Sequence, residues 1–323
     1  MIPKETLQEQ LKHTFKGTDF QSLGKLYAGK VRDNYMKGDR RILITTDKIS
    51  AFDRILTTIP FKGQVLNDMT RFWFDNTKHI VPNHFVSVPD PNVVVAKECK
   101  PLPVEMVVRG YITGVTSTSA WTHYKNGSRV FAGNNLPEGL KKDQKFDEPI
   151  VTPSTKAAHG DHDETVSPAE IYRRGILDKE TYEKLAMISL NLYKYGVEVA
   201  AKQGIILVDT KYEFGLDADN NIVLIDEIHT PDSSRFWFAN EYEERFEKGK
   251  EQKKIDKEYV RLWLAEQGFT GDGKIPEILD EVRVEAARRY IQAYELITGQ
   301  TFKAEAGPVL PRIEKNLKAS GLL

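Results

Sequence analysis

LVDTKYEFGLDADNNIVLIDEIHTPDSSRFW, residues 207–237, contains two strand-like runs that break their own apolar pattern. The first opens apolar at Ile205–Val208 and then admits Asp209, Lys211 and Glu213. The second is apolar from Ile222 to Ile225 and turns acidic at Asp226 and Glu227. Side chains alternate along a strand, so Asp209, Lys211 and Glu213 share one face, while Ile206, Val208, Thr210, Tyr212 and Phe214 take the other. The polar cluster from Asp217 to Asn221 is a turn signal that makes the two runs an antiparallel hairpin. Taking a charge out of water is costly unless the charge is paired or bound to a ligand. One explanation is a charged strand end, solvated at the rim of a sheet, with Lys211 paired to its acidic neighbours. The other is a ligand site. Two carboxylates at adjacent strand ends suit Mg²⁺, which takes one or two protein carboxylates and fills its shell with waters and phosphate oxygens. An odd register across the turn sets Glu213 and Asp226 on one face, and an even register parts them.

The rest of the chain supplies the frame. At 323 residues it is long enough for two domains or lobes. Its 46 basic and 47 acidic residues leave a net charge of −1, without the bulk electrostatic footprint of a nucleic-acid binder. A single cysteine, Cys99, excludes an intrachain disulfide framework and Cys-cluster zinc sites. The start MIPKETLQEQLKHTF has no apolar leader core, and no apolar run reaches the length of a membrane span. The expectation is a soluble cytoplasmic protein acting on small molecules, with no nucleic acid, membrane or obligate protein partner.

Leu7, Leu11 and Phe15 predict a helix over residues 5–16. Strands are predicted at residues 24–28, 41–46, 93–96 and 104–108. Lys100-Pro101-Leu102-Pro103 is the best linker, because two prolines disfavour a helix or a central strand. This sets a β-rich N-terminal lobe at residues 1–103 and a larger mixed lobe at 104–323. Residues 126–169, rich in Gly, Pro, Asn and Asp, predict a long irregular loop. A helix over 179–202 is ended by Gly204, and Val282, Ala286, Tyr290, Ala293 and Ile297 mark an apolar helical stripe. The fold class is α+β.

Smaller motifs are ambiguous one by one. AGKVRDNY (28–35) has a glycine that lets the backbone approach a phosphate and two cations, Lys30 and Arg32, yet it also fits a plain basic hairpin. Neither a GxxxxGK[ST] nor a GxGxxG motif occurs. Arg109 in VVRG and Arg235 in SSRFW fit an anion fork or a structural ion pair equally. HGDHDE (159–164) has metal-ligand residue types but no helical frame to align them.

In chain order, GKVRDNY, TTDKISAFDRIL, KGQVLN, PVEMVVRGYITG, PIVTPSTKA with HDE, LVDTKYEFG and IDEIHTPDSSRFW resemble the phosphoribosylaminoimidazole-succinocarboxamide synthase (SAICAR synthetase) family. The match runs from about residue 24 to 237, and AYELITG near the C-terminus is similar too. The resemblance implies a two-lobed fold similar to protein kinases and ATP-grasp enzymes, with ATP in the cleft. It also implies ATP-dependent condensation of L-aspartate with carboxyaminoimidazole ribonucleotide through an acyl phosphate, in purine biosynthesis. By the resemblance, Gly29, Lys30 and Arg32 cover the ATP phosphates, and Lys100, Leu102, Val104, Glu105 and Met106 form the adenine hinge. Glu213 and Asp226 match Mg²⁺ ligands. Asp209, Lys211, Arg109 and Arg235 match positions around the ribonucleotide, with Asp53, Lys156, His162 and Asp163 as further substrate candidates. Of these, Asp209, Lys211 and Arg235 are the catalytic candidates. After YITG many members have Ser directly, whereas here Gly114 leads through VTSTSAW, so Ser119 or Ser117 takes the phosphate-binding role. Two alternatives use the same motifs: a small-molecule phosphotransferase with no amine acceptor, and a non-catalytic nucleotide sensor.

Overall fold

The computed structural model describes residues 2–51, 54–116, 118–155, 164–255, 258–269, 271 and 273–323. The chain forms two compact units: Met1–Phe74, His84–Glu98 and Ile255–Leu323 make the first, and Asp75–Asn83 and Cys99–Lys254 the second. This differs from a division at residue 103. The chain changes unit at Cys99, and its C-terminal segment returns to the first unit instead of extending the second.

The first unit is built on a five-stranded antiparallel sheet. Its spatial order is β1 (Leu26–Ala28), β2 (Arg32–Lys37), β3 (Arg40–Thr45), β7 (Val93–Lys97) and β6 (Phe85–Asp90). β4 (Lys48–Ala51) and β5 (Arg54–Thr58) pair separately. Alternation along β2 and β3 buries Tyr35, Ile42 and Ile44 with Phe15 and Leu23, and with Val309, Ile313 and Leu317 of α9 (Val309–Ala319). The apolar face of α9 thus completes the core of this sheet, which is why the C-terminal segment belongs here. Arg312 of α9 forks onto Asp90 at 3.0 and 3.2 Å, and Asn316 donates to the same carboxylate at 2.7 Å. The other helices are α1 (Lys4–Gln10), α2 (Lys62–Thr77), α7 (Glu258–Glu266) and α8 (Asp280–Thr298). The predicted stripe of α8 is buried at all five positions, and Gly299 closes the helix in the left-handed region. The predicted N-terminal helix is shorter than its apolar spacing suggests, passing into a 3₁₀ turn at Leu11–His13.

The second unit centres on two long antiparallel partners, β8 (Lys100–Ile112) and β14 (Ile205–Leu216). β11 (Gln144–Val151) and β12 (Ser154–Thr155) pair with the far edge of β8, and β12 carries β13 (Glu164–Thr165). β15 (Ile222–Ile225) and β16 (Ser234–Phe238) pair with the far edge of β14. The predicted linker is therefore part of a strand. Pro101 and Pro103 lie two apart, just before Val104 and Glu105, the positions at which β12 pairs among the described residues. α5 (Lys179–Lys202) follows its predicted bounds, with Gly204 past its end at φ 70°. It docks on the sheet through Tyr193, whose hydroxyl donates to the carbonyls of Leu207 and Val208 at 2.7 and 3.1 Å.

Residues 126–169 are more ordered than their turn-rich composition predicts. The described part holds β9 (Val130–Phe131) paired with β10 (Asn134–Asn135), then β11 to β13 and α4 (Pro168–Arg173). With α3 (Ala120–Lys125) it closes a small core of Ile112, Ala120, Tyr124, Phe131, Leu136 and Phe146. Here glycines and asparagines mark tight turns between short elements. α6 (Ala239–Glu247) follows β16. Among the described residues no helix is long and apolar enough to cross a membrane.

Candidate active site

The charged face of β14 lies alongside that of β8. Antiparallel register sets Asp209 opposite Arg109, Lys211 opposite Val107 and Glu213 opposite Glu105. A shift in the β14–β16 ladder adds a third strand to the row. Continuing the Leu207–Phe236 pairing would set Asp209 opposite Ser234, but an irregularity between Leu207 and Asp209 brings Arg235 there instead. One extra residue in β14 thus turns a guanidinium onto the charged face.

At this end two guanidiniums hold one carboxylate. Arg109 Nη1 donates to Asp209 Oδ2 at 3.2 Å, and Arg235 Nε donates to Asp209 Oδ1 at 3.1 Å. Arg109 also donates from Nε to Thr152 Oγ1 at 2.9 Å, and its guanidinium lies 5.8 Å from the centre of the Phe131 ring. Asp209 and Arg109 are buried and Arg235 is half-buried. Ser119 reaches the neighbourhood through Gly114. At φ 102°, any Cβ at Gly114 would collide with Ser119 Cβ and come within 3.1 Å of Arg235 Nη1. The Ser119 hydroxyl donates to Thr116 O at 2.8 Å and pairs with Thr122 Oγ1 at 2.9 Å.

The other end has the reverse balance. Lys211 Nζ donates to Glu105 Oε1 at 2.8 Å and pairs with Glu213. The hairpin register is even, with Glu213 opposite Ile225 and Phe214 opposite Leu224, and strand alternation alone would part Glu213 from Asp226. β15 ends at Ile225, however, and Asp226 takes φ 66°, one of the few non-glycine residues to do so. Aspartate tolerates this left-handed conformation, which removes residue 226 from the alternation. Asp226 lies within electrostatic reach of Lys211. Burial works against the Lys211 ammonium, yet Glu213, Asp226 and Glu105 more than offset it and hold its pKa above the ordinary lysine range.

Three carboxylates around one ammonium leave an excess of two negative charges, the charge of one divalent cation. The oxygen-only donor set suits a hard ion such as Mg²⁺. Among the described residues no group of three or more His, Cys, Asp and Glu side chains is arranged to hold an ion by itself. Mg²⁺ needs only one or two carboxylates.

The back of β14 fixes the loop that carries Asp226. Tyr212 and His229, both fully buried, share a 2.6 Å hydrogen bond, and burial pushes the His229 imidazole down to about 3. Glu227 accepts from Thr230 Oγ1 at 3.0 Å.

In the first unit, Gly29, Lys30 and Arg32 lie in and beside the β1–β2 turn. Gly29 N–H donates to Arg32 O at 2.7 Å, and a Cβ on Gly29 would stand 2.8 Å from that oxygen. Lys30 is exposed and Arg32 half-buried. The predicted hinge residues fall on β8: Lys100 is exposed, Leu102, Val104 and Met106 are buried, and Glu105 belongs to the acidic end of the row. Asp53, Ser117, Lys156, His162 and Asp163 lie outside the described residues.

Sequence reasoning assigned Glu105 to a backbone hinge and overlooked its carboxylate. It shares parity with Val107 and Arg109 on β8, so alternation places it on the charged face. Thr152, which fixes Arg109, was legible only as part of PIVTPST. Lys48 and Thr46, which touch the glycine turn, had no signal of their own.

The family model for SAICAR synthetase matches residues 25–277. Phosphoribosylaminoimidazole-succinocarboxamide synthase of Legionella pneumophila (strain Lens) is 52% identical over 298 residues, covering 91% of this chain and 95% of the relative. Among solved structures, the Saccharomyces cerevisiae SAICAR synthase in complex with SAICAR superposes with a TM-score of 0.79 at 33% identity, covering 90% of this chain and 99% of its own. A SAICAR synthetase in complex with ADP superposes with a TM-score of 0.64 at 26% identity, covering 87% and 100%. The two-unit α+β architecture, the row of charges on β8 and β14 and these similarities agree: the chain belongs to the SAICAR synthetase family.

Proposed function

We propose that the row on β8 and β14 is where this chain carries out its family's reaction, joining L-aspartate to carboxyaminoimidazole ribonucleotide at the expense of ATP, in the cytoplasm. The observation that carries this assignment is the polarity of the row. From Asp209 to Glu213 is four residues, or about 13 Å of strand. Over that span the balance passes from two guanidiniums around one carboxylate to three carboxylates around one ammonium. An anionic ribonucleotide suits the first end and a divalent cation with its phosphates the second.

A carboxylate is a poor electrophile. Its oxygen therefore attacks the γ-phosphorus of ATP, an O–P bond forms and ADP leaves. The aspartate amine then attacks the acyl carbon, a C–N bond forms, and phosphate departs with the C–O electron pair while the amine loses a proton. Arg109 and Arg235 hold the ribonucleotide, and Asp209 fixes the angle between the two guanidiniums. Lys211 faces the transferring phosphoryl group from the middle of the row. Glu213 and Asp226 would hold Mg²⁺, which neutralises charge on the phosphoryl group. Gly29, Lys30 and Arg32 receive ATP phosphates, and backbone groups of Lys100–Met106 read the adenine base. Ser119 takes the family's phosphate-binding place beside Gly114. Asp53, Lys156, His162 and Asp163 complete the substrate contacts in this proposal.

A coupled assay of ADP release, run with each substrate omitted in turn, tests the assignment. Release should require both the ribonucleotide and aspartate. Release that ignores aspartate while another acceptor becomes phosphorylated would favour a phosphotransferase. ATP binding without turnover under any combination would favour a sensor.

A further inference from the structure

The segment Thr46-Asp47-Lys48 grips the glycine turn through its carbonyl oxygens. The Lys48 ammonium, buried with the rest of its side chain, donates to Gly29 O at 3.1 Å. Thr46 donates to Val31 O twice, from its backbone N–H at 2.9 Å and from its hydroxyl at 2.8 Å. The segment is itself immobilised: the two oxygens of buried Asp47 accept from Phe15 N–H at 3.2 Å and Gly63 N–H at 3.0 Å. Asp33 lies 3.9 Å from Lys48 Nζ, while its Oδ2 accepts from Thr18 N–H and Thr18 Oγ1. The clamp is thus tied to three other parts of the unit.

Geometry gives this clamp a consequence. In a planar trans peptide the C=O of one residue and the N–H of the next point in opposite directions. Holding Gly29 O toward Lys48 aims the Lys30 N–H the other way, and holding Val31 O toward Thr46 does the same for Arg32 N–H. An anion-binding turn needs amides facing the anion and carbonyls facing away from it. Gly29, with a Cβ position only 2.8 Å from Arg32 O, allows the turn to close this tightly. Lys48 also brings a positive charge to the turn, and Asp33 partly balances it.

We infer that Lys48 and Thr46 are positioning residues for ATP: by holding the carbonyls of Gly29 and Val31, they set the direction in which the turn presents its amides to the phosphates. This rests on the assignment of the Gly29–Arg32 turn to ATP phosphates. Neither residue touches the nucleotide in this account.

The test measures KM and kcat for ATP and KM for aspartate, with thermal midpoints, in Lys48→Met, Lys48→Arg, Thr46→Val and Lys30→Ala. Losing a charged donor to a buried carbonyl should raise KM for ATP by about tenfold in Lys48→Met. KM for aspartate should stay within about twofold and the midpoint near that of the wild type. Lys48→Arg, which keeps a cationic donor, should restore most of the ATP affinity, and Thr46→Val should show a smaller rise with the same selectivity. An unchanged KM for ATP in Lys48→Met, alongside a raised value in Lys30→Ala, overturns the inference and leaves the turn assignment standing. An unchanged KM for ATP in Lys30→Ala overturns the turn assignment, and the inference falls with it. A lowered midpoint with all Michaelis constants raised together marks Lys48 as merely structural and also overturns the inference.

Discussion

The two ends of the charged row hold their charges by different means. At the Asp209 end every charged side chain sits within a strand, and each has more than one constraint. Arg109 is fixed by Asp209, Thr152 and the Phe131 ring, and Arg235 is placed by a strand irregularity. At the Glu213 end Lys211 is half-buried, and Asp226 stands just past the end of its strand in a left-handed conformation. The first end is held rigid by these mutual contacts. The second depends on one backbone conformation and carries three carboxylates around one ammonium. Stiffness suits the recognition of one substrate, and an acid excess suits an ion that arrives with its own waters.

The sharpest way to break this contrast is to neutralise the acidic end. Glu213→Gln and Asp226→Asn should each lower turnover by about 100-fold or more, while raising the Mg²⁺ concentration needed for half-maximal rate. Wild-type turnover in both variants removes the metal assignment. At the other end, Arg109→Lys should lower kcat/KM for the ribonucleotide by about tenfold or more, because an ammonium cannot fork onto Thr152 and Asp209 together. Its Mg²⁺ dependence should not move. If the arginine variant shifts Mg²⁺ dependence as strongly as the acid variants, the two ends are one site and the contrast fails.

A smaller effect concerns stability and the back of the strand. Burial holds the His229 imidazole at about 3, below the ordinary histidine value near 6.5. A depressed pKa contributes stability that is complete above the unfolded value and lost as pH falls toward the folded one. The wild-type thermal midpoint should therefore decline between pH 6.5 and pH 4, and His229→Gln should show a shallower decline. Parallel pH profiles would mean that His229 is protonated in the native protein.

Local rules reached some parts of this molecule and not others. The bounds of α5, the buried stripe of α8 and the shared face of Asp209, Lys211 and Glu213 follow from periodicity, because each depends on neighbours a few residues away. The even register fixes the faces of residues within β14 and β15, but Asp226 lies past the end of β15 and outside that alternation. Its side-chain direction depends on one dihedral angle that no pattern of apolar residues encodes. β8 passes through Pro101 and Pro103 and pairs with β14 there, a tertiary fact that local sequence does not carry. The return of α9 to the first sheet is of the same kind, since the stripe of a helix says that it packs but not against what.

That return bears on the order in which the protein is made. All of the second unit lies at or before Lys254, so its strands and α5 are synthesised before any residue of α7, α8 or α9 exists. The first unit, although it contains the N-terminal segment, lacks Val309, Ile313 and Leu317 from its core and Arg312 for Asp90 until synthesis is nearly over. Gln10 exchanges two hydrogen bonds with Gly307, 297 positions away. The middle of the chain can therefore fold first, while the sheet bearing the glycine turn waits for the last helix. Ribosome-bound chains stalled just before Val309 should accordingly resist proteolysis in the second unit while the first is still open to cleavage.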